Sequence, residues 1–192
     1  CEAGAEAFAS LGISKYRTKD YQGAITDLTK AIDTGSKDNF THAARGLSFY
    51  ALKEFEKSIP DLNRAIELGQ HDSNIYFSRG AAKYTLKDYK TALPDLDKAI
   101  NTGTTDPIAF DMRGYCRYEN KNYNEAIKDF DEAIAKDPKL AQAFFHRGDA
   151  KFSVDNTAGA VQDYTQAIAL GLSDAILFNN RGKAYFKQEN YP

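Results

Sequence analysis

The residues best able to do chemistry, three histidines and two cysteines, are few and scattered. His42, His71 and His146 share no spacing that would place two of them on one metal or beside a nucleophile. Two cysteines, Cys1 and Cys116, are too few for a disulfide framework or a cysteine-based zinc site. We therefore expect a protein that is not an enzyme and has no catalytic residues, metal or cofactor.

Charged residues, in contrast, repeat strictly along the chain. Aspartates and arginines recur in two columns with a period of 34: Asp27, Asp61, Asp95, Asp129 and Asp163, and Arg45, Arg79, Arg113, Arg147 and Arg181. Leu11 stands where a first arginine would be, so pairing each aspartate with the arginine eighteen positions later leaves no charge alone. This predicts a structural ladder of bidentate ion pairs between repeats. A row of arginines that binds an acidic peptide or phosphate is the alternative.

The same period appears in the small residues, and it organises the whole chain. Counted from Ala5, five units span residues 5–38, 39–72, 73–106, 107–140 and 141–174, and half a unit spans 175–192. Glycine recurs at one position of all six: Gly12, Gly46, Gly80, Gly114, Gly148 and Gly182. We predict one repeat domain over 5–192, preceded by a short leader at 1–4.

Each unit reads as two helices joined by a polar break. Ala24, Leu28, Ala31 and Ile32 mark one apolar stripe of an amphipathic helix. Small residues where the two helices face each other would let their backbones approach closely. Between units, glycines fit helix C-termini and aspartates fit the next N-cap: Gly35, Gly69, Gly103 and Gly171, and Asp38, Asp72, Asp106 and Asp174.

The pattern resembles the tetratricopeptide repeat over residues 5–192. The fourth unit carries the family signature in three segments: Ala109-Phe110-Asp111-Met112-Arg113-Gly114, Tyr123-Asn124-Glu125-Ala126-Ile127, and Ala133-Ile134-Ala135-Lys136-Asp137-Pro138. Thr157 replaces the usual tyrosine in the fifth unit. The resemblance implies an all-α fold, a right-handed α-solenoid of stacked antiparallel helical hairpins, and a non-catalytic scaffold that holds a peptide or partner helix on its concave face.

Composition agrees with a protein or peptide partner. Of 192 residues 42% are apolar, and 25 basic against 27 acidic residues give a net charge of −2. No basic surplus exists to neutralise nucleic acid, so we expect none to bind.

Aromatic residues predominate on the predicted concave wall. The candidate partner-binding residues are Phe40, Tyr50, Phe77, Tyr84, Tyr115, Tyr118, Phe145 and Phe152. Large rigid rings suit partner recognition, but an aromatic column with this period also suits packing between helices. The sequence leaves both interpretations open.

The two ends of the sequence suggest how the protein is attached and what it associates with. A first residue Cys1 fits a bacterial envelope lipoprotein acylated at that cysteine, and it also fits a segment cut at an arbitrary point. We expect membrane attachment only through such a lipid. At the other end, an incomplete last hairpin suggests self-association. The alternative function is a docking or regulatory region of a longer multidomain protein, such as an enzyme.

Overall fold

A computed structural model describes residues 2–36 and 38–190, so Cys1 and its predicted acylation lie outside the described residues. The described chain is helical, with these elements: α1 (Glu2–Arg17), α2 (Tyr21–Asp33), α3 (Asn39–Ala51), α4 (Phe55–Glu67), α5 (Ser73–Thr85), α6 (Tyr89–Asn101), α7 (Pro107–Glu119), α8 (Tyr123–Lys136), α9 (Ala141–Ser153), α10 (Thr157–Ala169) and α11 (Ala175–Asn190). The all-α prediction is confirmed.

The helices form two compact units. Unit 1, Cys1–Thr104, contains α1 to α6, and unit 2, Thr105–Pro192, contains α7 to α11. Within each unit, consecutive helices pack as antiparallel hairpins, and α11 packs on α9 and α10. The predicted leader differs from the structure, because α1 already begins at Glu2. The single domain over 5–192 stays a prediction.

Two kinds of turn connect the helices. Inside each hairpin one residue takes a left-handed φ between 62° and 65°: Lys19, Lys53, Lys87, Lys121 and Asp155. Between hairpins the predicted C-terminal glycines take φ from 93° to 111°, a region that side chains rarely enter. The predicted N-caps are also confirmed, since Asp38 and Asp72 accept hydrogen bonds from the backbone N–H of Thr41 and Ile75.

Glycine allows the two helices of a hairpin to touch. A Cβ at Gly12 would lie 2.5 Å from Leu28 Cγ, and one at Gly114 would lie 2.7 Å from Phe130 Cε1. Leu28 and Phe130 are fully buried. The core therefore runs through the hairpins as a series of glycine notches, each filled by the residue sixteen positions later.

The predicted charge ladder exists, but its predicted register is wrong. Arg45 donates two hydrogen bonds to Asp61, of 2.7 and 2.8 Å, and Arg147 donates two to Asp163, of 2.9 and 2.6 Å. These partners belong to one hairpin and lie sixteen residues apart. The physical reason is that within each hairpin the first-helix glycine packs on the residue sixteen positions later. The same packing sets residue n of the first helix opposite residue n+16 of the second.

The ends of the ladder follow the same geometry. Asp27 faces Leu11 and instead contacts Lys15, whose Nζ lies 2.6 Å from Asp27 Oδ2. Asp163 contacts Arg147 and Lys151, so the expected pairing with Arg181 is also wrong. The same bonding joins the remaining pairs, Arg79 with Asp95 and Arg113 with Asp129.

The arginines also link neighbouring hairpins in unit 1. The third nitrogen of Arg45 donates to Thr29 Oγ1 at 3.2 Å, and that of Arg79 donates to Asn63 Oδ1 at 2.7 Å. Each guanidinium thus clamps its own hairpin and contacts the second helix of the preceding one. These fork-like bonds occupy the guanidinium groups of Arg45 and Arg79, as a structural ladder requires.

Candidate groove in unit 1

Two adjacent pockets lie on the first helices of unit 1. The first, of about 150 Å³, is lined by α1, α3 and the start of α5: Ile13, Tyr16, Arg17, Phe40, Ala43, Ala44, Leu47, Gln70, Asp72, Asn74 and Ile75. The second, of about 240 Å³, is lined by Tyr16, Tyr21, Leu47, Tyr50, Ala51, Asn74, Phe77 and Ser78. Tyr16, Leu47 and Asn74 line both. We call the two pockets together the unit 1 groove.

Small side chains on α3 give the groove its depth. Ala43, Ala44 and Ala51 line the pockets there, between the residues that α1 and α5 contribute. The larger rings then stand around the second pocket, where Tyr16, Tyr50 and Phe77 are all partly exposed. Aromatic side chains of this kind present a large apolar surface with few rotamers to fix.

Tyr16 and Asn74 connect the two sides of the groove. Both residues line both pockets, and burial, reinforced by nearby Tyr21 and Asp72 and only partly opposed by Asn74, raises the pKa of Tyr16. The tyrosine therefore stays protonated at neutral pH and acts as a neutral hydrogen-bonding group. Both groups are available to a peptide backbone, which carries its own donors and acceptors.

The predicted aromatic column has mainly a packing role. Each tyrosine at the end of a first helix packs on the aromatic residue five positions later, with ring centroids 5.5 to 6.1 Å apart: Tyr16 on Tyr21, Tyr50 on Phe55, Tyr84 on Tyr89, and Tyr118 on Tyr123. These pairs close the tips of the hairpins. Of the column, Tyr16 and Tyr50 also line the unit 1 groove.

Other predicted aromatic residues separate into exposed and buried sets. Phe40 is 60% exposed at the rim of the first pocket, and Phe77 lines the second. Phe145 is only 8% exposed, which favours a packing role, and its contact with a partner stays a prediction. Its ring packs on Tyr164 of its own hairpin, 6.2 Å between centroids, and joins a core with Leu177.

Phe152 and Tyr115 are covered by their neighbours. Phe152 packs on the core of unit 2, where Thr157 supplies no ring, and Lys187 Nζ lies 5.2 Å from its centroid. Tyr115 lies against His146, with 4.6 Å between the ring centroids. Both residues pack within unit 2, and their contact with a partner stays a prediction.

Comparisons with known proteins place these hairpins in a family. A model described as "Tetratricopeptide repeat" matches residues 43–107, and one described as "TPR repeat" matches residues 114–155. This chain is a tetratricopeptide-repeat protein. None of the curated proteins matches it.

Solved structures of other tetratricopeptide proteins share the fold. YrrB, described as "a TPR protein with an unusual peptide-binding site", has a TM-score of 0.78 at 19% identity, covering 95% of this chain and 90% of that one. MamA from Desulfovibrio magneticus RS-1 has a TM-score of 0.72 at 18% identity, covering 87% and 94%. At this identity the likeness concerns the fold alone.

Within this tetratricopeptide chain, unit 2 differs from unit 1 in what its first helices carry. Unit 2 has Asp111, His146 and Asp149 at repeat positions where unit 1 has only small or apolar residues: Ala9, Ala43 and Phe77; Ser10, Ala44 and Ser78; and Ile13, Leu47 and Ala81. His146 Nδ1 lies 2.9 Å from Asp111 Oδ1, and His146 Nε2 lies 2.8 Å from Gln142 Nε2. Asp111 and His146 are buried, so this network forms part of the interior of unit 2.

A second polar network of unit 2 centres on Asp149. Its Oδ1 accepts hydrogen bonds from the Tyr164 hydroxyl at 2.8 Å and from Asn180 Nδ2 at 2.9 Å. Burial raises the pKa of Asp149, and burial together with the adjacent Asp149 raises that of Tyr164. Neither network follows from the repeat pattern, although polar residues in otherwise small or apolar columns are a signal of them in the sequence.

The raised pKa of Asp149 predicts a pH-dependent effect of Asp149→Asn. Because the folded chain binds this proton more tightly than the unfolded chain, the stabilisation is full below the usual pKa of 3.8 and is lost as pH rises through the raised value. The amide still accepts from Tyr164 without a buried charge. We expect a higher urea midpoint for Asp149→Asn at pH 7 and no gain near about pH 3. A lower midpoint at pH 7 would contradict this.

In the part of the chain that the structure describes, no three His, Cys, Asp or Glu side chains are grouped to hold a metal ion. No described helix combines the length and apolarity that a membrane span requires.

Proposed function

We propose that this tetratricopeptide protein is a non-catalytic interaction module that binds a peptide segment in the unit 1 groove. The observation that supports it is the pair of adjacent pockets, about 150 and 240 Å³, that share Tyr16, Leu47 and Asn74. Two apolar pockets beside convergent polar groups form a suitable site for side chains and backbone of one peptide.

The charges of the groove indicate the kind of peptide. The second pocket is lined by aromatic, small and amide side chains and contains no acidic or basic one. The first contains one of each sign, Arg17 and Asp72. Because neither charge predominates, the groove favours apolar side chains on an uncharged stretch of chain and gives a strongly acidic segment no advantage.

A random peptide library displayed on phage, selected on the immobilised protein, tests this proposal. We expect selected peptides to bind the protein saturably in isothermal titration calorimetry. Phe40→Ala and Asn74→Ala should each weaken binding about tenfold, which corresponds to roughly 1.4 kcal/mol. The matched control is Ile108→Ala, an exposed apolar residue at the repeat position of Phe40 in unit 2. Peptides that bind all four proteins equally would contradict the groove assignment.

A further inference from the structure

Aromatic rings form much of the second pocket of the unit 1 groove. The aromatic residues that line it are Tyr16, Tyr21, Tyr50 and Phe77. Packing holds the tyrosine rings in place, since Tyr16 lies on Tyr21 with 6.1 Å between ring centroids and Tyr50 lies on Phe55 with 5.7 Å. Their orientation is therefore fixed before a ligand arrives, which lowers the entropy cost of binding.

The spacing of equivalent tyrosines matches the repeat of one backbone conformation. Tyr16 and Tyr50 occupy the same repeat position on α1 and α3, two helices that contact each other. Packed helices lie about 8–10 Å apart, so the two rings recur along the groove at about that interval. A polyproline II helix presents the same face every three residues, a rise of about 9 Å. A β-strand presents the same face every two residues, about 7 Å.

The polar groups of the groove also suit a chain that lacks N–H donors. Tyr16 and Asn74 line both pockets, and the side chain of each can donate a hydrogen bond to a carbonyl oxygen. The carboxylate of Asp72 already accepts from the backbone N–H of Ile75. Proline has no N–H, and the carbonyl groups of a polyproline II helix make no internal hydrogen bonds. A proline-rich segment therefore offers acceptors and buries few donors that would need a partner.

We propose, on the basis of the proposed peptide-binding function, that the unit 1 groove binds an uncharged proline-rich segment in the polyproline II conformation, with prolines three positions apart. Two successive prolines of that spacing lie against the rings of Tyr16 and Tyr50, and Asn74 donates to a carbonyl of the segment. The uncharged lining of the second pocket suits an uncharged segment. Because proline restricts φ, the segment is extended before it binds and loses little backbone entropy.

The probe is a synthetic nonapeptide that repeats the triplet Pro-Ala-Gln three times, blocked at both ends and labelled for fluorescence anisotropy. We expect saturable binding to the protein with a Kd below about 1 mM. The matched control peptide has the same composition with its prolines at every second position. It should bind at least about fivefold more weakly, because its prolines face different sides of the polyproline II helix.

Protein variants locate the binding site. Phe77→Ala and Asn74→Ala should each weaken binding of the Pro-Ala-Gln peptide about tenfold. Neither side chain is buried, so both variants should keep the helical circular dichroism of the unchanged protein. Ile108→Ala in unit 2 should bind the peptide as the unchanged protein does.

The outcomes separate this inference from the proposed function. Phage-selected peptides that depend on Phe40 and Asn74, with no binding of the Pro-Ala-Gln peptide, would overturn this inference alone. If neither kind of peptide depends on the groove residues, both fail. Equal binding of the Pro-Ala-Gln peptide and its rearranged control would show that proline spacing is not recognised and would also overturn the inference.

Discussion

Two Gly→Ala substitutions at equivalent repeat positions should change stability in opposite directions. Gly114→Ala should lower the free energy of unfolding by about 1–3 kcal/mol, because the new Cβ would lie 2.7 Å from Phe130 Cε1 and 3.0 Å from Asp129 Cβ. Phe130 is fully buried and cannot retreat without moving α8. Gly182→Ala should instead raise the free energy by up to about 1 kcal/mol, because alanine favours the helix and meets no atom.

Urea unfolding followed by circular dichroism measures both effects. Repeat proteins can unfold in steps, so midpoints of the separate transitions are compared before any free energy is extracted. Equal and favourable effects of the two substitutions would show that the notch at Gly114 is not tightly filled. Since helix propensity changes equally at both positions, the difference between them isolates the contact with α8.

Removing Arg45 should be the most costly change to a single ion pair in unit 1. Arg45→Leu leaves the carboxylate of Asp61, whose side chain is 8% exposed, with only His42 beside it. Breaking a buried pair from one side costs about 3 kcal/mol or more. The double variant Arg45→Leu/Asp61→Leu should cost less than the sum of the two single changes, because it leaves no buried charge unpaired. Urea midpoints of the four proteins give this coupling.

The matched control uses the aspartate that the sequence pattern had paired with Arg45. Asp27 contacts Lys15, so Arg45→Leu and Asp27→Leu should combine additively, within about 0.5 kcal/mol. Strong coupling between Arg45 and Asp27, with none between Arg45 and Asp61, would restore the register of eighteen. The experiment thus distinguishes an ion pair between the two helices of one hairpin, Arg45 with Asp61, from an ion pair between neighbouring hairpins, Arg45 with Asp27.

The sequence was sufficient for the helices because their signals are local. Glycines such as Gly35 and Gly103 mark left-handed turns, and Asp38 and Asp72 mark N-caps, within a few residues of the structure they specify. The period of 34 repeats the same local signals, so a helix boundary that is ambiguous in one unit can be assigned from the equivalent position of the next. The family followed from the same repetition.

The pairing of aspartates with arginines across a hairpin is not a local property of the sequence. Matching the charges by counting them therefore gave the wrong register. The first repeat has Leu11 in place of the arginine, which suggested that each aspartate pairs with the arginine of the next repeat. The structure shows that Lys15, one turn later on α1, supplies the missing cation for Asp27. Leu11 and Lys15 are one helical turn apart, so the sequence alone does not show that a cation at position 15 can reach Asp27. The packing of α1 on α2 decides which cation faces which carboxylate.

The sequence by itself determined an all-helical tetratricopeptide chain, the five aspartates and four of the five arginines of its charge ladder, and an aromatic column. Tertiary structure alone decided which aromatic residues a partner could reach: Phe40 and Phe77 line the groove, whereas Phe145 is buried against Tyr164. The physical reason is that equivalent repeat positions share a backbone but not their neighbours. Small residues on α3 line the groove in unit 1, whereas His146 of α9, at the repeat position of Ala44, is buried in a hydrogen-bond network of unit 2.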